Sequence, residues 1–393
     1  MLSELRVADL RSYRSLHVTF PSGPILIVGP NASGKTTLLE AIVLAARGRS
    51  TRTSADAELV RFGADLLRVE AHLGRTDGDD PAAVVELVIA RPASAGPSSG
   101  SRKRLRVNGV ARRVGSLDAW VRVVLFAPED MLLVAGPPSL RRAMIDELAG
   151  SLSPGYAADL ATYGRALAQR NSLLRAIRED TAERADLRVW DIPFLDAGSR
   201  VVEERAAVLV DLAGPLAEAH AEIAPDEAAA APLGLRHETN APAAAGESVR
   251  TALERRLAET ADKEVWHGAT LIGPHRDDIV FTLGGRDLAS YGSRGQQRTA
   301  ILAAKLAEID LLTARDGRPP LLLLDDVFSE LDVERRSHLV GRLTDLPQAF
   351  VTTTTPSDLD PRLVARATMY EVVADVDGRG ALLRGAGAWE DPA

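Results

Sequence analysis

With 393 residues the chain is long enough for two or three lobes and a large core. The absence of cysteine excludes disulfides, iron–sulfur clusters and a thiol nucleophile. A net charge of −8, from 47 basic and 55 acidic residues, argues against a uniformly basic nucleic-acid binder but leaves room for a local basic surface. The start, Met1-Leu2-Ser3-Glu4-Leu5-Arg6-Val7, enters a strand with no signal-peptide pattern, and no apolar run reaches membrane-spanning length. A cytosolic protein with no membrane partner is expected. Lysine occurs only at 35, 103, 263 and 305, so Lys35 stands out as a place that needs a compact ammonium.

Residues 1–75 alternate short apolar strands with one helix, the opening of an α/β domain. Pro24–Val28 reads as a buried strand and Thr37–Ala46 as a helix. Between them Gly29-Pro30-Asn31-Ala32-Ser33-Gly34-Lys35-Thr36 fits G-x-x-x-x-G-K-T, the phosphate-binding loop, in the strand–loop–helix setting that motif requires. Its backbone N–H groups would close around phosphate oxygens, Lys35 would reach the β- and γ-phosphates, and Thr36 would hold Mg²⁺. A solvated turn follows at Thr76–Pro81, a strand at Val84–Ala90 and a flexible loop at Pro92–Gly100. Arg104–Val110 reads as a hairpin turning at Asn108-Gly109. Around it Arg102, Lys103, Arg104, Arg106, Arg112 and Arg113 bring six cations and no acid. Such a hairpin can lie along a nucleic-acid backbone, although charge runs are also ordinary solvated surface.

From about residue 128 the texture becomes helical. Leucine and alanine recur at helical spacing over Ser139–Arg178, Asp196–Ile223 and Val249–Asp262. Residues 226–246 read as a loose connection, and Arg141-Arg142 carries the same two readings as the hairpin. Strand texture returns at Ala269–Ile272 and Asp278–Leu283. His275 has no second histidine at ligand spacing, which favours a structural hydrogen-bonding role over metal binding. Aromatic residues make up 4% of the chain, so base stacking should not dominate any nucleic-acid contact.

Two later segments complete a nucleotide site. Ser293-Arg294-Gly295-Gln296-Gln297 opens a strong helix running to Leu312, with a serine cap and a glycine that expose N–H groups to an anion. Leu321–Leu324 is a run of the kind found in central parallel strands and ends in Asp325-Asp326. Carboxylates at a strand's carboxyl end land beside the phosphate loop. Asp325 is expected in the Mg²⁺ shell and Asp326 as the base that polarises the attacking water.

The series of phosphate loop, signature helix and Asp-Asp strand, followed by Ser329-Glu330-Leu331-Asp332, resembles the ATP-binding-cassette class of ATPases. Within it the chain resembles the RecF family of bacterial recombination-repair proteins. That resemblance rests on ordered strings such as Leu38-Leu39-Glu40-Ala41-Ile42, Phe126-Ala127-Pro128-Glu129-Asp130, Gln169-Arg170-Asn171, Gly273-Pro274-His275-Arg276-Asp277-Asp278 and Lys305-Leu306-Ala307-Glu308. It implies an α/β head formed by both chain ends, residues 1–127 and 263–393, with a mainly helical arm inserted at 128–262. It implies that ATP joins a head-to-tail homodimer in which Ser293, Gly295 and the 329–332 loop act in trans. Pro128-Glu129-Asp130 would sense the γ-phosphate. Thr352-Thr353-Thr354 stands where transporter ATPases carry a histidine and the RecF family has threonines. A weak, DNA-stimulated ATPase is implied, binding double-stranded and gapped DNA and working with RecR- and RecO-like mediators to load RecA. The alternative is a chromosome-maintenance ATPase of the SMC type, which would need a long heptad coiled coil where this chain has a proline-broken insertion.

Overall fold

The computed structural model describes residues 1–393 except 54, 75–80, 92–101, 114, 116, 118–119, 357–358, 375–380 and 386–393. The turn expected at 76–81 (Pro81 apart) and the loop at 92–100 lie outside the described residues. The chain divides into two units, Met1–Glu129 with Leu312–Ala393, and Asp130–Leu311.

The first unit opens with β1 (Leu2–Leu10), β2 (Tyr13–Thr19), β3 (Gly23–Val28) and α1 (Lys35–Arg47). Then come β4 (Leu66–Gly74), β5 (Pro81–Ala90), β6 (Arg102–Val107), β7 (Val110–Ala111) and β8 (Val123–Phe126). An antiparallel sheet has the order β2-β1-β4-β5-β6-β7. Its strands alternate, as in β4, where Leu67, Val69, Ala71 and Leu73 are buried and Leu66 and Arg68 face solvent. The hairpin between β6 and β7 turns at Asn108-Gly109, both at positive φ (51° and 76°), the two-residue turn whose twist matches its strands.

The second unit contains α2 (Pro138–Leu152), α3 (Tyr156–Arg178), α4 (Arg188–Ile223), α5 (Pro225–Ala230) and β9 (Leu233–Glu238). It continues with α6 (Val249–His267), β10 (Asp278–Leu283), β11 (Arg286–Asp287), α7 (Leu288–Tyr291) and most of α8 (Arg294–Asp316). Tyr163, Phe194, Leu195, Leu253, Leu257 and Ile272 form its core, with the Tyr163 and Phe194 rings 5.1 Å apart. Three expectations are corrected. Residues 226–246 are not a loose connection: they hold α5 and β9, which pairs antiparallel with β10. Ala269–Ile272 is not a strand, because its backbone is satisfied by side chains instead of a ladder. Asn171 accepts from the Thr270 N–H at 2.7 Å, Glu264 accepts from the Leu271 N–H at 2.8 Å, and Asn240 donates to the Leu271 carbonyl at 3.0 Å. Nor do the prolines break the insertion: Pro193 and Pro215 both lie inside the 36-residue α4. The buried face that runs from Phe194 to Ile223 holds the helix together across the missing N–H donors.

The first unit is completed by β12 (Leu321–Asp325), α9 (Val333–Asp345), β13 (Gln348–Thr353), α10 (Pro361–Arg366), β14 (Thr368–Ala374) and β15 (Ala381–Gly385). The second large sheet has the order β15-β14-β3-β13-β12-β8, all parallel except β15. Every residue of β12 and β13 is buried, as the central strands of a sheet covered on both faces should be. α1 packs its buried face, Leu38 to Ala46, into a core shared by both sheets. Each such leucine or isoleucine stabilises the fold by about 1.5–3 kcal/mol.

Candidate ATP site

The parallel register brings the distant motifs to one edge. Thr352 sits opposite Asp325 on one side and Ile27 on the other, so β3, β13 and β12 end together where the phosphate loop begins. The Gly29 N–H donates to the Thr353 carbonyl at 3.2 Å, fixing the loop's first residue to that edge. A Cβ on Gly29 would lie 2.4 Å from the Val372 carbonyl oxygen, so only glycine fits there. Ala32 and Gly34 have φ of 63° and 116°, and this left-handed backbone folds the loop over the start of α1.

Thr36 donates to Asp325 Oδ1 at 3.1 Å, and Thr352 donates to the same oxygen at 2.8 Å. Thr352 Oγ1 also accepts from the Asp326 N–H at 2.9 Å, so one buried threonine holds the Asp325 carboxylate and the Asp326 backbone. Asp326 is held at φ 53°, a conformation costly for a non-glycine residue and characteristic of functional sites. Burial raises its pKa above the usual carboxylate range against the pull of Lys35, and Asp325 and Glu330 push the same way. Lys35 is lowered, first by burial, while Asp326 and Asp325 act to raise it. Its ammonium donates to the Gly29 and Pro30 carbonyls at 2.7 and 3.0 Å.

The Ser33 hydroxyl is 3% exposed and has no hydrogen-bond partner. An orphaned hydroxyl in a ring of N–H groups, an ammonium and two carboxylates suits a phosphate chain with a hard cation. The residues therefore fit Mg²⁺–ATP, with Thr36 and Asp325 offering oxygens to the metal. The cavity over the loop measures about 430 Å³ and is bordered by Asn31, Ala32, Gly34, Lys35, Thr36, Asp325 and Asp326.

Four lining or supporting residues carry no role in the sequence reading. Arg11, Ser12 and Arg52 border the same cavity. Arg11 stands at φ 47° in the β1–β2 turn and makes a two-pronged ion pair with Glu40, at 2.5 and 2.9 Å. Glu40 is 3% exposed on α1 and also accepts from the Ser50 hydroxyl at 2.5 Å, with Arg52 3.7 Å away. A carboxylate inside the apolar run of α1 is the signal that could have pointed to it.

Other expected site residues fall elsewhere. Ser293 accepts from the Gln296 N–H at 3.2 Å while Gln296 accepts from the Ser293 N–H at 2.9 Å, a reciprocal cap on α8. Asp332 caps α9, accepting from the Arg335 N–H at 3.0 Å. Glu129 borders a small cavity with Thr36, Glu40 and Asp325. In the cationic hairpin, Lys103 donates to the Gly48 carbonyl at 2.8 Å and pairs with Asp56 at 2.9 Å, so it is not available to a phosphate. Arg106 lies 3.9 Å from Glu86, while Arg102, Arg104 and Arg112 have exposed side chains without an ion-pair partner among the described residues. Arg141 is 7% exposed, pairs with Asp278 at 2.7 and 2.8 Å and donates to the Leu133, Val134 and Gly136 carbonyls, which makes it structural. His275 accepts from or donates to Tyr163 at 2.6 Å through Nδ1 and meets the Thr270 carbonyl at 3.3 Å through Nε2. Among the described residues no cluster of three or more metal-ligating side chains occurs, and no helix is long and apolar enough to cross a membrane.

Comparison with known proteins agrees with this geometry. The family model described as the RecF/RecN/SMC N terminal domain matches residues 1–372. The chain is 39% identical over 363 residues to the DNA replication and repair protein RecF of Symbiobacterium thermophilum, covering 91% of this chain and 92% of that one. It is 37% identical over 377 residues to the RecF of Limosilactobacillus fermentum, covering 95% and 97%. The solved structure of the recombination mediator protein RecF-ATPrS superposes with a TM-score of 0.84 at 30% identity, covering 98% of each chain. An Smc head shares the fold, with a TM-score of 0.53 at 14% identity. The chain thus has an α/β head of the ATP-binding-cassette type and belongs to the RecF family.

Proposed function

We propose that this chain is an ATP-switched DNA-binding protein of replication and recombinational repair. ATP hydrolysis is the switch: Asp326 takes a proton from water as the water oxygen attacks the γ-phosphorus, and ADP departs as the β–γ bond breaks. Bound Mg²⁺, held by Thr36 and Asp325, would offset the phosphate charge. Lys35 neutralises the terminal phosphates, and Thr352 holds the Asp325 carboxylate and the Asp326 backbone in place. The observation that supports this reading is the Asp325–Thr352–Asp326 arrangement, in which Thr352 bonds the buried Asp325 carboxylate and the backbone of the half-buried Asp326, two acids set side by side at the phosphate loop.

A role in recombinational repair is supported by the relatives, among them a RecF–ATP structure of a recombination mediator in the RecFOR pathway. ATP bound by one protomer would be capped by Ser293 and Gly295 of a second copy, giving a homodimer whose summed contacts hold double-stranded or gapped DNA. Slow, DNA-stimulated hydrolysis would release it. RecR- and RecO-like mediators would then act with it in loading RecA, in the cytosol. The test is Ser293→Arg, assayed by light scattering and duplex titration with Mg–ATP. The variant should bind nucleotide as a monomer yet form no ATP-dependent dimer and lose DNA binding. Normal dimers in that variant would reject the capping arrangement.

A further inference from the structure

Phe62 is 93% exposed, whereas the other six phenylalanines of the chain are buried. It occupies the second position of the turn Arg61–Ala64, closed by the Ala64 N–H donating to the Arg61 carbonyl at 3.0 Å. Gly63 follows at φ 84° with open space around it, the requirement of a type II turn. This turn is anchored on three sides. The Arg61 N–H donates to the Asp9 carbonyl at 2.8 Å, the Arg61 guanidinium pairs with Asp9 at 2.8 Å, and Arg91 donates to the Val60 carbonyl at 2.8 Å. An aromatic ring is therefore held out in water by a rigid mount.

The sheet register places the start of β4, two residues past this turn, one strand away from the cationic start of β6. Leu66, 45% exposed, pairs with Ala90, and Ala90 pairs with Arg102. In the next outward row Arg68 pairs with Val88 and Val88 with Arg104. Neither row contains an acid, whereas the following row holds Glu70 and Glu86. Arg68 is drawn toward those two glutamates, at 2.9 and 3.1 Å. Arg102 and Arg104 remain exposed and unpaired among the described residues. Asp65, exposed next to Leu66, is the carboxylate of this corner.

We infer that this corner reads a discontinuity in DNA: Arg102 and Arg104 take backbone phosphates, and Phe62 takes an unstacked base at the edge of a gap. The inference rests on the DNA-binding reading above and goes beyond it by assigning structure preference to one side chain. Charge selects the occupant, since a second protein chain would have to bring acids to meet the two arginines. An intact duplex offers them phosphates but gives the ring no free base face. A gap margin offers both, and one base–aromatic stack is strong enough to set a preference of about tenfold.

The test uses the full-length protein with Mg–ATP and two probes, a hairpin-closed duplex and a gapped duplex with 2-aminopurine as the first unpaired base. The parent should bind the gapped probe about tenfold more tightly and quench its fluorescence. Phe62→Ala should lose the preference and the quenching while keeping closed-duplex binding and ATP hydrolysis, and Phe62→Trp should restore both. Arg102→Ala with Arg104→Ala should weaken both probes alike and flatten the salt dependence by about two phosphate contacts. An unchanged gap preference in Phe62→Ala overturns this inference alone. Loss of the ATP-induced dimer in Phe62→Ala without DNA also overturns it, by making the ring a contact between copies. If the parent binds neither probe, the DNA-binding reading itself fails.

Discussion

The phosphate site and the interior of the second unit use the same chemistry toward opposite ends. Both bury charge. In the second unit nearly every buried charge is paired and hydrogen-bonded within the fold. Arg170 meets Glu264 at 2.7 Å and Asp191 at 2.8 Å, and Arg205 meets Asp146 at 2.7 and 3.0 Å and the Pro274 carbonyl at 2.7 Å. At the phosphate site the charges are left short of partners: Lys35 rests on backbone carbonyls, Asp326 is strained and its pKa raised, and the Ser33 hydroxyl bonds nothing. A satisfied buried charge specifies a fold, whereas an unsatisfied one is kept for a ligand. The division is not absolute, for Asp277 in the second unit also has one carboxylate oxygen without a partner.

The widest separation between the regions should come from two substitutions. Asp326→Asn removes the base but not the fold, so steady-state ATP hydrolysis should fall by about 10²–10⁴-fold with the melting temperature nearly unchanged. Hydrolysis at the parental rate would mean that Asp326 is not the base. Arg170→Leu in the other region should do the converse. It leaves Glu264, fully buried, without its cation and should cost about 3–5 kcal/mol in urea unfolding. A cost below about 1 kcal/mol would show the pair to be surface-like despite its burial.

Much of the phosphate site was legible in the sequence because its parts are contiguous strings with a known physical purpose. Gly29–Thr36 and the run into Asp325-Asp326 each carry their geometry locally. What stayed hidden depends on register or on long-range pairing. Nothing local says that Thr352 faces Asp325, that Arg11 adopts φ 47° or that Glu40 holds it. The cationic hairpin shows the limit from the other side. Six like charges read as one patch, but alternation in β6 turns Lys103 inward to Asp56 and sends Arg102, Arg104 and Arg106 outward. Residues 226–246 were misread because alanine and proline composition masked a short strand whose partner, β10, lies about forty residues on.

A pH titration should sharpen the comparison, since the second unit holds a histidine kept neutral. His275 falls from its ordinary 6.5 to about 4, chiefly through burial, with Arg276 and Arg142 adding to the shift and the Thr270 carbonyl opposing it. In the neutral tautomer the network favours, Nε2 donates to the Thr270 carbonyl and Nδ1 accepts from the Tyr163 hydroxyl. Below pH 6.5 the unfolded chain binds a proton that the folded chain refuses. Stability from this site is therefore complete above pH 6.5, falls as pH drops toward 4, and levels off below it, by about 3 kcal/mol in all. His275→Gln should flatten that part of the urea-unfolding profile. A slope that persists in the variant would assign the effect to another group.

The smallest effect is the most direct trial of the contrast. The Ser33 hydroxyl is buried beneath the phosphate loop with no partner, and such a group costs about 1–3 kcal/mol relative to one that is satisfied. If it is retained for a phosphate oxygen, Ser33→Ala should behave oppositely with and without ligand. Without nucleotide the variant should be more stable by about 1 kcal/mol, because the orphan is gone and alanine fits the same backbone. With Mg–ATP the parent should regain the advantage, so the ligand-induced rise in melting temperature should be smaller in the variant. Two melts of each protein, with and without Mg–ATP, decide it. An alanine variant that is no more stable alone, and equally stabilised by ATP, would make Ser33 a packing residue and remove it from the contrast.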